Sequence, residues 1–437
     1  MKYISILFGK LAIILTKLLN KKGTNLPGVV SKKINKNILS KFNIKGTVIA
    51  VTGSSGKGSI TSLISNTLIK LNEDVIHNTY GSNLDTGIIS LFLKHCDLKG
   101  NINSKYIVLE VDERYTKYIF KDTKPKYVLI NNLSRDQPPR NMHFDFVFDA
   151  INKNITKDMH LIINKDDPYL RKFITNNKVT YYGIEDTKYS YKESLFKNLN
   201  ITRCPLCNSK LNYKHYFFET LGNYSCTKCN FKRGDVEYKL TDLNFDNLTM
   251  IINNKYKVNF GFDMLFSVYN VLGAYTLLSQ LNIKKSEIAN TISSLETNKK
   301  IFNKYKFNNR SVFVLNNKNE NATTFNQSML YINRDNNLKT IVIGWKEISR
   351  RYKYDDISWL YDIDFNLMNN IDKVICVGVH KYTIANRIKY AGIDEDKILV
   401  FDTLNDSYSA IKDSNGNIYA VVNFDYVEPF NALIGGN

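Results

Sequence analysis

Residues 51–59 read Val-Thr-Gly-Ser-Ser-Gly-Lys-Gly-Ser. They follow an apolar, β-branched run, Gly46 to Thr52, that predicts a buried parallel strand, and they lead into a helical pattern, Ser59 to Leu71. A glycine-rich turn in this position lets backbone N–H groups approach phosphate oxygens, and the helix N-terminus adds partial positive charge. The stretch therefore predicts a phosphate-binding loop, in which Lys57 reaches the terminal phosphates and Ser59 offers a hydroxyl to Mg²⁺.

The predicted loop comprises Gly53, Ser54, Ser55, Gly56, Lys57, Gly58 and Ser59. Its match to the pattern G-x-x-x-x-G-K-[ST] is imperfect, because the first glycine is too close to the second and a glycine follows the lysine. A glycine- and serine-rich turn without a ligand is the alternative interpretation. The strand before the loop and the helix after it favour phosphate binding.

Four of the six cysteines form two C-x-x-C pairs, Cys204/Cys207 and Cys226/Cys229, with 18 residues between the pairs. This spacing is typical of a tetrahedral Zn²⁺ site. Four thiolates would close the coordination sphere, so the pattern predicts a structural zinc ribbon and not a catalytic metal. Four unligated thiols, or a ribbon that binds nucleic acid, are the alternatives.

The charge is strongly positive, with a formal net charge of +19 over 437 residues. Such a charge can attract polyanions, but dispersed lysines on solvated faces explain it equally well. The sequence contains no long basic tract and no aromatic-basic repeat, so we expect no nucleic-acid partner.

The N-terminal stretch Met1 to Leu19 is apolar and resembles a signal peptide or a short membrane span. Lys10 and Lys17 interrupt the apolar run, however, and a small-residue cleavage site does not follow. We therefore expect a helix that either packs on the body of the protein or touches a membrane surface.

Strand-like and helix-like runs alternate along most of the chain, which predicts an α/β fold with doubly wound sheets. Strands are expected at 106–111, 127–131 and 161–164, and a second α/β set begins near residue 305. The predicted division is an N-terminal helical segment at 1–45, a central nucleotide-binding domain at 46–304 with the ribbon inserted at 200–235, and a C-terminal Rossmann-like α/β domain at 305–437.

The loop, with Gly-Ser after its lysine, resembles that of the Mur ligase and folylpolyglutamate synthase superfamily. The resemblance implies a Mur ligase-type central P-loop ATPase domain that uses Mg·ATP to form an acyl phosphate, which an amine then attacks. Lys57 and Glu110 would be catalytic, with Glu110 and Ser59 as ligands of Mg²⁺. The other positions that the resemblance places near the nucleotide are Asn132, Asn164, Asp166, Asp167, Asn270 and Lys304.

The ribbon segment and the stretch Asp356 to Phe365 (DISWLYDIDF) resemble the MurT family, the catalytic subunits of lipid II isoglutaminyl synthase. That resemblance implies ATP-dependent amidation of the D-glutamate α-carboxyl of the lipid II stem peptide to D-isoglutamine. Ammonia would come from a GatD-type glutaminase subunit, whose Cys-His pair Asp356 would complete in trans. Asp355 and Asp362 are nearby alternatives for that role. The expected location is the cytoplasm, at the inner face of the cell membrane.

Three positions depart from the family pattern. Lys304 stands where an arginine is usual, Ser267 where an asparagine is usual, and Gln137, after Asp136, where many members have a metal-binding histidine. A stand-alone Mur or folylpolyglutamate-type amide ligase, and a catalytically weakened nucleotide-binding scaffold, therefore remain as alternatives.

Overall fold

The computed structural model describes residues 1–20, 23–78, 82–134, 143–173, 176–199, 202–296, 302–317, 321–345 and 357–435. The helices are α1 (Lys2–Leu18), α2 (Leu26–Ile34), α3 (Lys57–Lys70), α4 (Asp85–His95), α5 (Thr116–Thr123), α6 (Phe144–Asn152), α7 (Leu265–Leu278), α8 (Lys285–Ser293), α9 (Ala322–Asn333), α10 (Lys381–Tyr390), α11 (Tyr408–Asp413) and α12 (Phe424–Leu433).

The strands of the N-terminal half are β1 (Asn43–Ile44), β2 (Thr47–Thr52), β3 (Val75–His77), β4 (Asn101–Ile102), β5 (Tyr106–Glu110), β6 (Tyr127–Ile130), β7 (His160–Asn164), β8 (Val179–Ile184), β9 (Leu211–Phe218) and β10 (Leu221–Cys226). Those that follow are β11 (Tyr238–Asn244), β12 (Thr249–Ile252), β13 (Tyr256–Asn259), β14 (Phe302–Phe307), β15 (Arg310–Asn317), β16 (Lys339–Trp345), β17 (Ile371–Gly378), β18 (Ile398–Phe401) and β19 (Asn417–Asn423).

The larger sheet has nine strands in the order β13-β12-β11-β8-β7-β6-β2-β5-β3. The strands from β11 to β3 pair in parallel, while β12 and β13 add an antiparallel edge. After β2 the chain builds β3 and β5 on one side, then crosses to β6 on the other. Open α/β sheets bind ligands beyond the carboxyl ends of strands where the winding reverses in this way.

Successive residues of β2 pack on opposite faces of this sheet, as strand geometry requires. Ile49 and Val51 join a core that includes side chains of α3 and α7. Val48 and Ala50 join a second core that includes side chains of α4, α5 and α6. Burial on both faces explains why the parallel strands are continuous apolar runs and not alternating ones.

The second sheet has six strands in the order β14-β15-β19-β16-β17-β18, all parallel except the edge strand β14. The predicted α/β fold class, with a doubly wound central sheet followed by a Rossmann-like sheet, is confirmed. The predicted boundary between residues 304 and 305 falls inside β14, which pairs with β15. The division of the chain into domains itself stays a prediction.

Two smaller features complete the fold. The hairpin of β9 and β10 lies where the ribbon was expected and forms a separate two-stranded sheet. At the N-terminus α1 packs on α2 and α4, and the short strand β1 pairs with β4. Among the described residues, no helix combines the length and apolar character needed to cross a bilayer.

Candidate active site and metal centre

The backbone of the predicted phosphate loop requires glycine at two positions. Gly53 and Gly56 have φ angles of 126° and 80°, in the region that L-residues with a side chain rarely adopt. A Cβ atom on Gly53 would lie 2.8 Å from the backbone carbonyl oxygen of Asn132, and one on Gly56 would lie 2.7 Å from the side-chain Nδ2 of Asn131. Both glycines therefore allow the loop to lie directly against the end of β6.

Two asparagines after β6 hold the loop in this shape. The backbone N–H of Ser54 donates to the Asn132 carbonyl oxygen at 2.9 Å, and that of Ser55 donates to Asn132 Oδ1 at 3.0 Å. Asn132 Nδ2 and Asn131 Nδ2 both donate to the Ser55 carbonyl, at 3.0 and 2.9 Å. Asn132 was predicted from sequence as a nucleotide contact, whereas Asn131 was missed. Their position directly after a strand of the sheet is the signal that both share.

Lys57 begins α3 and is buried against the loop it follows. Its Nζ donates to the Gly53 carbonyl and lies 2.7 Å from Glu113 Oε1, in an ion pair whose side chains are 10% and 5% exposed. Burial acts to lower the pKa of Lys57, but the negative charge of Glu113, with Glu110 and Asp112 nearby, raises that pKa above its ordinary value. The ammonium group therefore stays charged at physiological pH. Sequence reasoning missed Glu113.

Glu110 ends β5, next to β2, and its backbone is held by Asn78. The Glu110 N–H donates to Asn78 Oδ1 at 2.7 Å, and its carbonyl accepts from Asn78 Nδ2 at 2.8 Å. Its carboxylate accepts from Asn83 Nδ2 at 3.1 Å, and Asn83 was missed as a site residue. Glu110 and Ser59 line the same two cavities, so an oxygen-preferring cation placed there would find a carboxylate and a hydroxyl.

A cavity of about 380 Å³ lies between the two sheets, at the carboxyl ends of the parallel strands. From the larger sheet it is lined by loop residues 54–59 and by Glu110, Asn132, Asn164 and Asn270. From the second sheet it is lined by residues 315–317 and by several side chains of α9. The structure thus brings most of the predicted nucleotide residues to one cavity, and adds a wall that sequence reasoning did not foresee.

A second, wider cavity of about 900 Å³ adjoins the first. The two cavities share Gly58, Ser59, Glu110 and Asn270 among their lining residues. The start of α3 and the end of β5 therefore face two compartments. Groups bound in the two compartments could meet beside the carboxylate of Glu110.

Four predicted residues do not line the smaller cavity in the described part of the chain, and one of them, Gly53, lies directly before the lining residues 54–59. Asp166 and Asp167 are buried behind Asn164, whose Oδ1 accepts from the Asp166 N–H at 3.1 Å. Lys304 lies on β14, with its Nζ 5.1 Å from the ring centroid of Phe313. Their role at the nucleotide stays a prediction. Asp356, with Asp355, Asp136 and Gln137, lies outside the described residues.

Asp166 instead anchors the cysteine module to the larger sheet. Its Oδ1 accepts from Arg233 Nε at 3.0 Å, and its Oδ2 accepts from the Ile184 N–H at 2.7 Å and from the Tyr269 hydroxyl at 2.9 Å. Burial raises the pKa of Asp166 to about 6, against the opposing effect of the Arg233 charge. Arg233, only 2% exposed, also contacts Glu185 Oε1 at 3.0 Å. These contacts form an ion-pair network that is buried at Asp166 and Arg233 and partly exposed at Glu185.

The four cysteines converge on one point. The Sγ atoms of Cys204, Cys207, Cys226 and Cys229 lie within 4.8 Å of one another, with Cys204 to Cys229 at 3.7 Å and Cys207 to Cys226 at 3.4 Å. Tetrahedral Zn–S bonds of about 2.3 Å place sulfur atoms about 3.8 Å apart. All four are free thiols. The cluster therefore has the donor set and spacing to hold one metal ion.

The ribbon also reaches the candidate active site. Phe218 and Leu221, at the turn between β9 and β10, line the smaller cavity. Glu219, between them, accepts from Asn326 Nδ2 of α9 at 2.8 Å, and burial raises the pKa of its carboxyl to about 7. The turn of the ribbon thus contacts both the cavity and the second sheet.

Comparisons with known proteins agree with this architecture. The Mur ligase middle domain matches residues 51–220, and the MurT ligase C-terminal region matches residues 319–426. The chain is 26% identical over 434 residues to the lipid II isoglutaminyl synthase (glutamine-hydrolyzing) subunit MurT of Staphylococcus aureus, which covers 98% of this chain and 96% of that protein. For the MurT subunit of Streptococcus pneumoniae the identity is 25% over 409 residues, covering 90% and 88%.

Solved structures share the fold at lower identity. A pseudomurein peptide ligase type C from Methanothermus fervidus superposes with a TM-score of 0.70 at 19% identity, covering 92% of this chain and 80% of that one. MurF from Acinetobacter baumannii superposes with a TM-score of 0.63 at 14% identity, covering 95% and 81%. Similarity to MurT subunits along nearly the whole chain, two matching family regions and a shared fold show that this chain belongs to the MurT branch of the Mur ligase family of ATP-dependent ligases.

Proposed function

We propose that the chain catalyses the ATP-dependent amidation of the D-glutamate α-carboxyl in the lipid II stem peptide, which yields D-isoglutamine. The proposal rests on one observation: the loop that carries Lys57 and the carboxylate of Glu110 face two adjoining cavities. MurT relatives of nearly the same length carry the name lipid II isoglutaminyl synthase subunit, which supports the choice of substrate.

The proposed reaction has two steps. A carboxylate oxygen of the substrate attacks the γ-phosphorus of ATP, and the bond between that phosphorus and the ADP oxygen breaks. Ammonia then attacks the carbonyl carbon of the acyl phosphate, a C–N bond forms, and phosphate leaves with the electrons of the C–O bond. A proton released from nitrogen passes to solvent.

The described residues support particular roles in these steps. The loop N–H groups and the Lys57 ammonium would bind and orient the phosphates in the smaller cavity. Glu110 and Ser59 would hold Mg²⁺, which would neutralise charge on the phosphates. The wider cavity, which shares Glu110 and Ser59, would hold the acceptor carboxylate. The cysteine cluster would hold a structural Zn²⁺.

We further propose that ammonia comes from a GatD-type glutaminase subunit and that Asp356 completes the Cys-His pair of that subunit. The names of the MurT relatives, a "subunit" of a "glutamine-hydrolyzing" synthase, support a partner. In such a triad the carboxylate orients the imidazole and stabilises its charged form. The reaction would take place at the inner face of the cell membrane, where a lipid-linked substrate is available.

The test uses the purified chain with ATP, a lipid II-type acceptor and one of two nitrogen sources. With an ammonium salt, the chain alone should form the amide; with glutamine, it should do so only together with the glutaminase subunit. Asp356→Asn should lose the glutamine-dependent reaction and keep the ammonium-dependent one, while Asp355→Asn and Asp362→Asn serve as matched controls. ATP turnover with an amino acid in place of ammonia would favour a stand-alone ligase, and no turnover with either nitrogen source would favour a scaffold.

A further inference from the structure

The N-terminal helix α1 exposes its large apolar side chains. Leu7, Phe8, Leu11, Ile14, Leu15 and Leu18 are each between 44% and 75% exposed. On α2, which packs against α1, Leu26 and Val29 are exposed beside them, at 53% and 36%. Contiguous apolar surface of this kind on a folded chain marks a place where something else binds.

The buried face of the same two helices consists mostly of small residues. Ser5, Gly9, Ala12 and Thr16 face inward from α1, and a Cβ on Gly9 would lie 2.5 Å from Leu93 of α4. Gly28 of α2 approaches α4 still more closely, since its Cβ would lie 1.8 Å from the Thr86 carbonyl oxygen. A surface helix of a globular protein normally buries its large apolar residues and exposes polar ones. Ile6 of α1 is fully buried, but most of the large apolar side chains of this helix are exposed, so folding alone does not explain the exposed side.

These helices are attached to the body of the protein and cannot be read as a membrane span. Lys10 Nζ donates to the Leu93 and Cys96 carbonyls at the end of α4, at 2.9 and 2.7 Å. The hydroxyl of Ser5 donates to the Ser31 carbonyl at 2.8 Å, which ties α1 to α2. The exposed face is therefore fixed in place and available to a flat partner.

The positive charge of this region indicates that the partner surface is anionic. Residues 1–34, which span the two helices, contain seven lysines and no Asp, Glu or Arg; the first acidic residue of the chain is Glu73. Lys17 and Lys33 are exposed on the two helices. A second copy of the chain would bring like charges together across a twofold interface. A bilayer with anionic headgroups would instead match both the lysines and the apolar side chains.

We propose that the exposed faces of α1 and α2, called here the N-terminal platform, lie in the interfacial layer of an anionic lipid bilayer. The large side chains would enter the boundary between headgroups and acyl chains, and the lysines would contact lipid phosphates. The platform rests on α4, which begins two residues after Asn83 of the smaller cavity, so the bilayer would lie beside the element that leads from the candidate active site. This inference goes beyond the proposed function and does not depend on it.

The experiment is flotation of the purified full chain with vesicles of phosphatidylcholine, alone or mixed with phosphatidylglycerol. The chain should float with the anionic vesicles, remain largely unbound with the neutral ones, and dissociate progressively as salt is raised. The triple variant Phe8→Ser/Leu11→Ser/Leu15→Ser should reduce the partition coefficient by about tenfold or more. Because these side chains are already exposed, its thermal unfolding midpoint should match that of the unchanged chain.

The matched control is Val379→Ser/Tyr382→Ser/Tyr390→Ser, which removes three large exposed side chains far along the chain and should float like the unchanged protein. Equal flotation of the platform variant, or no flotation of the unchanged chain, would overturn the proposal. So would a dimer that forms without lipid and is lost in the platform variant, because the face would then bind a second copy. Amidation of a soluble, lipid-free acceptor should be equal in all three proteins, which separates this test from that of the proposed function.

Discussion

The phosphate loop and the cysteine ribbon differ in what their functional groups face. In the loop, residues 54–59, which include one lysine, line a cavity of about 380 Å³, and glycines at positions 53 and 56 let the loop lie against the end of β6. In the ribbon, four sulfur atoms face one another within 4.8 Å and leave no room for a substrate. The loop is thus arranged to act on a ligand, whereas the ribbon is arranged to hold structure.

The two regions are nevertheless connected. The turn of the ribbon contributes Phe218 and Leu221 to the cavity that the loop faces, and Arg233, near the end of the ribbon segment, pairs with Asp166, just after β7 of the larger sheet. Loss of the cysteine cluster should therefore also disturb the cavity at the phosphate loop, because the ribbon forms part of its wall. Loss of a side chain of the loop should leave the ribbon intact. The following predictions test this asymmetry.

The largest effect is expected when the cysteine cluster is broken. Cys204→Ser/Cys207→Ser removes two of four thiolates, and the ribbon should lose its zinc and more than about 5 kcal/mol of folding free energy. Metal analysis of the unchanged chain should return about one Zn²⁺ per chain, and amide hydrogen exchange across β9 and β10 should accelerate in the variant. Lys214→Gln, at an exposed position of β9, is the control. Equal zinc content in the double variant would refute the metal site.

Next in size is the loss of the loop lysine. Lys57→Ala should lower ATP-dependent turnover about a thousandfold, close to 4 kcal/mol, because the charge that binds the terminal phosphates is gone. Zinc content should not change. Lys70→Ala, at the other end of α3, should keep normal turnover, since its exposed Nζ donates to the Ser294 carbonyl at 3.0 Å and Lys70 is not among the described residues that line either cavity. Because Glu113 loses its buried partner in Lys57→Ala, urea unfolding must be measured beside turnover. Turnover within a few-fold of normal would reject the loop assignment.

The link between the two regions should have an intermediate effect. Arg233→Ala leaves the carboxylate of Asp166 buried without its cation, which should cost about 3 kcal/mol of unfolding free energy. Lys232→Ala, the exposed neighbour, should cost almost nothing. Urea unfolding compares the two. If both variants were equally stable, the ion pair would have no role in attaching the ribbon.

The smallest effect concerns pH and the ribbon turn. The raised pKa of Glu219 means that the folded state binds this proton more tightly than the unfolded state, so stability present below about pH 4.5 is lost as the pH rises through about 7. Glutamine cannot ionise. Glu219→Gln should therefore gain up to about 3 kcal/mol relative to the unchanged chain as the pH rises through that window. Urea unfolding at several pH values measures the difference, and Glu193→Gln, at an exposed position, is the control. A pH-independent difference would contradict the assignment.

How much of the site was predictable depends on how local each feature is. The loop and the cysteine pairs were predicted because each is a short motif whose spacing alone carries the geometry. Glu113 was missed because its partner Lys57 lies 56 positions away. Asn83 was missed because an asparagine after a loop is a common turn residue, and only the packing of β5 beside it brings it to Glu110.

The acidic doublet at residues 166 and 167 shows the limit most clearly. Its resemblance to a nucleotide-binding element predicts a contact that stays a prediction, while the structure buries Asp166 against Arg233, 67 positions later, and lets Asp167 Oδ1 accept from the N–H groups of Tyr169 and Leu170. A carboxylate after a strand has the same local sequence whether it faces a ligand or an internal partner. The partner alone distinguishes the two cases.

The sequence by itself determined the positions of several strands, the glycine-rich loop between a strand and a helix, and the four-thiol motif, because strand periodicity, glycine content and ligand spacing are local properties of the chain. Only the tertiary structure decided which strand-end groups share a cavity, that the ribbon turn and α9 form part of its wall, and that most large apolar side chains of α1 face outward. Those outcomes depend on contacts between residues far apart along the chain, for which local periodicity carries no information.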